Sequence, residues 1–399
     1  MTLQFQTPRG TKDILPGEMP KWHYLEHVLR DIFTKYNFRE IRTPVFEDTD
    51  LFARGIGGTT DIVQKEMYTF LDKGGKSYTL RPEMTAPVVR AYLQHHLGQT
   101  KALQKMYYIA PMFRQERPQA GRFRQFHQYG VEIMGTQAPL ADVEIITVGV
   151  EFLRRLGLKD IHLKLNSVGC LVCRPVYKLE LQNQLRPVLE QLCGDCRNRF
   201  HTNPLRILDC KKENCRALTE EVDPIDNYLC DECKSHFGEV KALLTEVKIP
   251  FEPDKRLVRG LDYYTKTAFE IITDQLGSQD AICGGGRYDM LAKEIGGDAV
   301  PGVGFAAGLE RLITVMDKAG LFPETDPHLD LYLIGLGDAA RSWVYRTAMQ
   351  LRRNNLICEI DYQQRSLKAQ MREANRLNAG FTAIVGENEL KNGSIPLKK

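Results

Sequence analysis

The sequence predicts an α+β protein whose core is interrupted by a cysteine-rich insertion and followed by a small α/β domain. Three observations lead there. The chain has 399 residues, more than one hydrophobic core organises, so two or three domains are expected. Eight of the ten cysteines fall between Cys170 and Cys233, within a polar, frequently broken stretch at 170–250, and strand and helix patterns resume after it. Beyond about residue 328, strands alternate with helices at the spacing of a parallel sheet.

Taken in order, Trp22, Leu25, Leu29, Ile32, Phe33 and Tyr36 recur at helical spacing behind Pro20, a favourable first-turn residue. Phe38–Val45 is extended, and Pro44 consigns it to an edge or a terminus. Lys73–Ser77 reads as a hairpin turn between strands at Tyr68–Leu71 and Tyr78–Leu80. Residues 103–134 read as further strands around a polar, arginine-rich loop at 115–124. Val143, Ile146, Val150, Leu153 and Leu156 mark a helix with Asp142 near its start, and Ile161–Asn166 alternates as a strand. After the cysteine-rich stretch, regular patterns return at 257–273 and 280–290, with a helix at 307–318. Pro323–Pro327 reads as a linker. A strand at Leu331–Leu336, a helix at 340–353, a strand at Ile357–Tyr362, a helix at 366–378 and a strand at Phe381–Val385 follow. The expected domains are a core made of 1–169 and 251–325, an insertion at 170–250, and a last domain at 328–399.

Bulk properties exclude some roles. A net charge of +3 gives no global pull toward nucleic acid, so such contacts must be local. The opening Met1–Arg9 lacks a signal-peptide core, and no uncharged apolar run has the length to cross a bilayer. A cytoplasmic protein with no membrane role is expected. Two phosphate motifs are decoys. Gly302-Val303-Gly304-Phe305-Ala306-Ala307 fits a loose dinucleotide fingerprint, but the loop-like Gly296–Pro301 precedes it where a strand should stand. Gly75-Lys76-Ser77 resembles a P-loop end, but Phe70 occupies the required glycine position.

Three separated segments carry arginines beside glycines and acids: Phe113–Arg117 with Arg122–Gln128, Leu257–Tyr264, and Gly302–Leu312. Arg259 follows Leu257 and Val258 in a strand-like run, where a cation is costly unless an anion meets it. Each arginine alone is explained by a surface ion pair. Several of them beside turns that admit a ligand point to polyphosphate, which a guanidinium grips at two points.

In these segments the chain resembles the class II aminoacyl-tRNA synthetases. Residues 20–45 with Pro44 are similar to that class's first motif, 113–133 to the second, and 302–312 to the glycine-rich third. Arg9–Asp13, Leu257–Tyr264 and Gly284–Asp289 are similar to segments peculiar to the histidine-specific family, over nearly the whole chain. The resemblance implies an antiparallel sheet flanked by helices, activation of L-histidine with ATP and Mg²⁺, and transfer to the 3′ end of histidine tRNA. It implies that Arg114 and Arg259 straddle the α-phosphate and that Arg122 and Arg311 hold the outer phosphates. Phe126 would stack under adenine and Glu116 would meet its amino edge. Glu83 would pair with the histidine α-amino group beside Thr85, and Gln128 would serve the carboxylate side. Glu132, Tyr263, Tyr264 and Tyr288, with Arg259, would complete the histidine pocket. A pocket that satisfies a polar ring rejects apolar rivals strongly, so no editing domain is expected. Arg117, Arg122 and Arg124 would meet the acceptor end of tRNA. The domain from about 328 is similar to the family's anticodon-binding domain, where Arg352, Arg353, Arg365 and Lys368 face RNA or solvent.

Cys170-x-x-Cys173, Cys193-x-x-Cys196, Cys210-x4-Cys215 and Cys230-x-x-Cys233 supply eight thiols, enough for two structural tetrahedral zinc sites. Which pairs share an ion stays open, and reduced cysteines that only pack are the plainer reading. The family does not require this set, so the metal is an expectation from spacing alone. Relatives usually extend past Pro396–Lys399, and a last strand and helix are expected to be missing. The family resemblance also implies a homodimer around Pro44. The alternative is the family's regulatory paralogue, a non-catalytic subunit of ATP phosphoribosyltransferase. That paralogue usually lacks the phosphate-binding arginines and the C-terminal domain. A zinc-ribbon RNA-binding module would explain the cysteines but not the arginines.

Overall fold

The computed structural model describes residues 5–58, 60–118, 121–273, 281–324 and 329–399. They form two compact units, one ending at Phe322 and one beginning at Pro323.

In the first unit the Met19–Lys35 helix buries Trp22, Leu25, Val28, Leu29, Ile32 and Phe33, with Pro20 in its first turn. The Pro139–Arg155 helix buries Val143, Ile145, Ile146, Val150, Phe152 and Leu153. Both lie in the core formed with one face of an eight-stranded sheet. Each fully buried Leu, Ile or Phe contributes about 1.5–3 kcal/mol to that packing. The sheet runs in the order 39–40, 104–113, 125–134, 302–308, 281–287, 265–273, 161–167, 252–253. Neighbours are antiparallel except at the two edges, where two-residue strands pair in parallel. Pro44 follows the short edge strand, as its missing N–H requires.

A three-stranded sheet joins Phe46–Asp48, Ser77–Leu80 and Tyr68–Leu71. The Gly75-Lys76-Ser77 decoy belongs to its hairpin, where Asp72 Oδ1 accepts from the backbone N–H groups of Gly74 and Lys76, each at 2.8 Å.

Several expectations need correction. Within the expected stretch 257–273, strand structure begins only at Thr265, so Arg259 sits in a turn-rich segment and not in a strand. Gly302–Gly308 is a strand that the sequence does not mark, and the helix begins after it, at Leu309. Antiparallel neighbours on both sides of that strand rule out a βαβ unit there. Residue 280, at the start of one expected stretch, lies outside the described residues.

The cysteine-rich stretch builds its own small core from Tyr177, Leu181, Phe200 and Ile207 among the cysteines. Its last helix, Asp231–Glu246, returns to the main core through Phe237, Val240 and Leu244.

In the second unit the strands Cys358–Ile360, Leu329–Gly335 and Ala379–Val385 are parallel neighbours in that order. The helices Asp338–Arg353 and Leu367–Arg376 connect them. A short helix, Glu387–Asn392, and the strand Leu397–Lys398 follow, neither marked by the sequence. The expected linker at 325–327 lies outside the described residues. Among the described residues no helix is long and apolar enough to cross a membrane.

Candidate active site

The three arginine-bearing segments converge on one cleft of about 290 Å³ on the sheet. Arg114, Glu116, Arg122, Phe126, Gln128, Arg259 and Arg311 all line it, together with Glu270 and Glu310. The hairpin strands 104–113 and 125–134 bring Arg114 and Phe126 together, with the Arg114 guanidinium 5.4 Å from the Phe126 ring centre. Arg114 Nε donates to the carbonyl of Pro82 at 2.8 Å, and its Nη1 lies 3.6 Å from Glu116. Arg122 reaches the same carboxylate at 3.1 Å. Arg259 pairs with Glu270, whose strand runs beside Gly284. A Cβ on Gly284 would meet Arg259 Nη1 at 2.5 Å, so only glycine leaves room for the guanidinium. Arg311 donates to the carbonyl of Ala281 from the first turn of the Leu309–Ala319 helix.

Two lining groups are incompletely satisfied. Gln128 Oε1 and Arg259 Nε are buried with no hydrogen-bond partner among the described residues. Leaving such groups unpaired costs about 1–3 kcal/mol each, so a site that keeps them is built for a polar ligand.

A second, deeper cluster adjoins this cleft through Arg259, whose guanidinium lies 5.6 Å from the Tyr264 ring centre. Glu83 caps the Thr85–Gln94 helix, accepting from the N–H groups of Thr85 at 2.7 Å and Ala86 at 2.9 Å. Thr85 Oγ1 donates to Glu132 at 2.8 Å, and the Tyr288 hydroxyl donates to its other oxygen at 2.5 Å. Tyr263 packs between Tyr264 and Tyr288, with ring centres 4.8 and 5.9 Å away. Burial pushes the Glu132 carboxyl up to about 8, against the opposing pull of Tyr288 and Thr85. Glu83 is raised by burial too, against the N–H groups of Ala86 and Thr85. Glu132 stands opposite Gly304 on the neighbouring strand, and a Cβ there would fall 1.7 Å from Oε2. The glycine-rich strand is therefore a space made for this carboxylate.

All thirteen expected substrate residues thus gather in one connected region. Two further residues of this region, Tyr108 and Glu270, escaped the sequence reading, and a third, Glu310, lay in a quoted segment without being given a role. Tyr108, fully buried, reaches Glu132 at 3.5 Å but in sequence is one aromatic among strand residues. Glu270 gives no signal before its pairing with Arg259 is seen. Glu310 was legible as an acid at a helix start; it accepts from the His127 backbone N–H and ring Nδ1, each at 2.9 Å.

The eight clustered cysteines form two groups of four, Cys170, Cys173, Cys230 and Cys233, and Cys193, Cys196, Cys210 and Cys215. The pairing is nested, first pair with last and the two middle pairs together. No pair is near the ~2.05 Å of a disulfide. The separations between sulfurs are 3.6 Å for Cys170–Cys173, 3.8 Å for Cys170–Cys230 and for Cys173–Cys233, and 4.0 Å for Cys193–Cys210.

An antiparallel sheet with an arginine-lined cleft, edged by a short strand that a proline follows and closed by a glycine-rich strand leading into a helix, defines a class II aminoacyl-tRNA synthetase core. The histidyl-tRNA synthetase family matches residues 10–312, and the anticodon binding domain family matches 330–399. The chain is 51% identical over 397 residues to a histidine–tRNA ligase of Halothermothrix orenii, covering 99% of this chain and 94% of that one. It is 49% identical over 393 residues to one of Caldanaerobacter subterraneus, covering 98% and 94%. The apo histidyl-tRNA synthetase of S. aureus superposes with a TM-score of 0.83 at 40% identity, covering 99% of this chain and 95% of that one. The chain belongs to the histidyl-tRNA synthetase family.

Proposed function

We propose a division of labour in the cleft for ATP-dependent histidine–tRNA ligation, the activity that family membership gives this chain. A carboxylate oxygen of histidine attacks the α-phosphorus of MgATP. A new O–P bond forms, the bond to the bridging oxygen breaks, and pyrophosphate leaves with the electron pair. Negative charge grows on the α-phosphoryl oxygens, so fixed cations supply most of the stabilisation. Arg114 and Arg259 flank that group, and Arg122 and Arg311 hold the outer phosphates. Phe126 stacks under adenine, with Glu116 at its amino edge. In the second step a terminal ribose hydroxyl of tRNA attacks the histidyl carbonyl carbon, losing its proton as AMP departs.

The deeper cluster takes histidine. Glu83 meets the α-amino group beside Thr85, Gln128 serves the carboxylate side, and Glu132 with Tyr264 and Tyr288 bonds the imidazole against Tyr263. What carries this reading is the pair of unsatisfied polar atoms, Gln128 Oε1 and Arg259 Nε, in a cleft lined by four arginines. The regulatory-paralogue alternative falls away, because the ligases above are about 50% identical over nearly the full chain.

The two cysteine groups hold one structural zinc each. A tetrahedral site with ~2.3 Å Zn–S bonds sets its sulfurs about 3.8 Å apart, which the separations above match. Burial raises the Cys170 thiol, but N–H groups of Cys173 and Val172 outweigh it and bring the thiol down to about 7. Cys233 is pushed up by burial and by neighbouring sulfurs. All four positions are sulfur, so the metal supplies structure and no chemistry. Elemental analysis of protein purified without chelator should find two zinc ions per chain; ten titratable thiols in the unfolded protein and no metal would refute the sites. A cytoplasmic homodimer, paired around Pro44, completes the reading.

ATP–pyrophosphate exchange across a panel of amino acids tests the cleft. Exchange is expected with histidine alone and is expected to fall about 10²–10³-fold in Arg259→Ala. Full exchange in that variant would remove the arginine from the mechanism.

A further inference from the structure

The segment that carries Arg259, Tyr263 and Tyr264 has no regular secondary structure between Lys255 and Tyr264. Something else must hold it, because a pocket that discriminates by hydrogen bonds tolerates little displacement. The core supplies three bonds: Asn166 Nδ2 donates to the Leu257 carbonyl at 2.9 Å, the Asp262 N–H donates to the Ile56 carbonyl at 3.0 Å, and Arg259 pairs with Glu270. Further restraints come from the cysteine-rich insertion. Lys255 Nζ donates to the carbonyls of Glu220 at 2.5 Å and Val222 at 3.1 Å. Arg256 donates to the carbonyl of Arg216 at 2.6 Å.

Nearer the substrate, the restraints start beside the cysteine groups themselves. Arg174 directly follows Cys173. Its guanidinium donates to the carbonyls of Asp262, at 3.3 Å, and of Tyr264, while Nε donates to Val168 at 3.2 Å. Asn203 directly follows the Gly194–Thr202 helix, whose first turns carry Cys196 and whose N-cap is Cys193. Its Nδ2 donates to Asp262 Oδ1 at 2.7 Å. One residue leads from each cysteine group, and the two meet on the same histidine-pocket segment.

We propose that Arg174 and Asn203 are positioning residues for histidine, so that filling of the two cysteine groups with metal is linked to filling of the amino-acid pocket. The proposal rests on the assignment of Tyr263, Tyr264 and Arg259 to substrate binding. Neither residue touches substrate; each fixes backbone or carboxylate atoms of residues that do. Coupling between two sites is reciprocal, so bound histidine must also tighten metal binding in the insertion. The insertion thereby becomes part of the amino-acid specificity apparatus, although its cysteines lie outside the cleft.

The experiment uses the full-length protein as purified, with Arg174→Ala, Arg174→Lys, Asn203→Ala and, as a control, Tyr264→Phe. Four quantities are read: KM for histidine and KM for ATP in pyrophosphate exchange, zinc content, and the equilibrium extent of zinc transfer to a chromogenic chelator with and without saturating histidine. In Arg174→Ala, KM for histidine is expected to rise about tenfold, the size of a charge-assisted bond lost, with KM for ATP and zinc content unchanged. Asn203→Ala should show a smaller rise of about threefold, and Arg174→Lys should recover part of the loss. Histidine should reduce the equilibrium zinc transfer in the wild type and lose that effect in Arg174→Ala. Unchanged KM for histidine in metal-replete Arg174→Ala and Asn203→Ala, beside an impaired Tyr264→Phe, would overturn the proposal. An unimpaired Tyr264→Phe would instead overturn the pocket assignment on which it rests. Should Arg174→Ala lose zinc or fail to fold, Asn203→Ala and the histidine effect on wild-type zinc transfer decide alone.

Discussion

The cleft and the polar knot around Arg287 both place arginine beside acid on the same sheet, and they treat it oppositely. Arg287 is 0% exposed and saturated. Its Nε lies 3.2 Å from both Asp142 oxygens, Nη1 donates to the Thr136 carbonyl at 2.8 Å and to Asp289 at 3.1 Å, and Nη2 donates to Ala138 and Asp142. His236 adds a contact to Asp142 at 3.4 Å. Burial would raise the Asp142 carboxyl, but His236 and Arg287 outweigh it and hold it below the usual range. Arg259, 18% exposed, has Glu270 alone as an ion-pair partner and a buried Nε with no partner among the described residues. An arginine whose donors are all used by protein holds the fold together. One with donors left over, facing a cavity, is available to an anion.

The contrast breaks first at Arg287. Arg287→Ala leaves the Asp142 carboxylate buried and short of its main partner, a loss of about 3–5 kcal/mol of stability. Urea unfolding of the variant should show the shift, with KM for histidine unchanged wherever the protein remains folded. A stable variant with impaired exchange would place Arg287 in the site and erase the distinction. Arg259→Ala should do the reverse. Exchange should fall about 10²–10³-fold, the scale of one lost charge-stabilising donor, with the unfolding midpoint nearly unmoved. A large drop in stability there would mean that its pairing with Glu270 is structural.

This contrast marks where sequence reading stops. The Met19–Lys35 and Pro139–Arg155 helices, the 68–80 hairpin and the alternating C-terminal unit were legible, because apolar period and turn chemistry are local signals. The arginine and glycine segments were legible as a group through resemblance. Asp142, read as a helix-start signal, is in fact the buried partner of Arg287, a contact 145 residues away in sequence that no local pattern carries. The 302–308 strand went unread because Gly302, Gly304, Ala306 and Gly308 give no apolar alternation; Gly304 makes room for Glu132 and Gly302 for the Tyr288 ring. Likewise the nested cysteine pairing depends on the insertion's helices, which spacing alone leaves undetermined.

The smallest effect sharpens the comparison at Glu132, a buried acid with no arginine beside it. Where Asp142 is held low by a bond from His236 and by the Arg287 guanidinium, Glu132 is raised by burial to about 8 and receives hydroxyl bonds. The folded state therefore holds a proton that the unfolded chain releases near its ordinary value of 4.5. Its contribution to stability is complete below that lower value and is lost as pH rises through about 8. The slope cannot exceed about 1.4 kcal/mol per pH unit for one proton. Glu132→Gln keeps the shape but cannot ionise, so its urea stability between pH 6 and 9 should fall less steeply than that of the wild type, in protein free of histidine. The variant should also bind histidine less well, since an amide cannot accept from Thr85 and Tyr288 at both ends. Parallel pH profiles in the two proteins would mean that Glu132 is already ionised without its ligand. The pocket would then resemble the Arg287 knot, with its charge settled before substrate arrives.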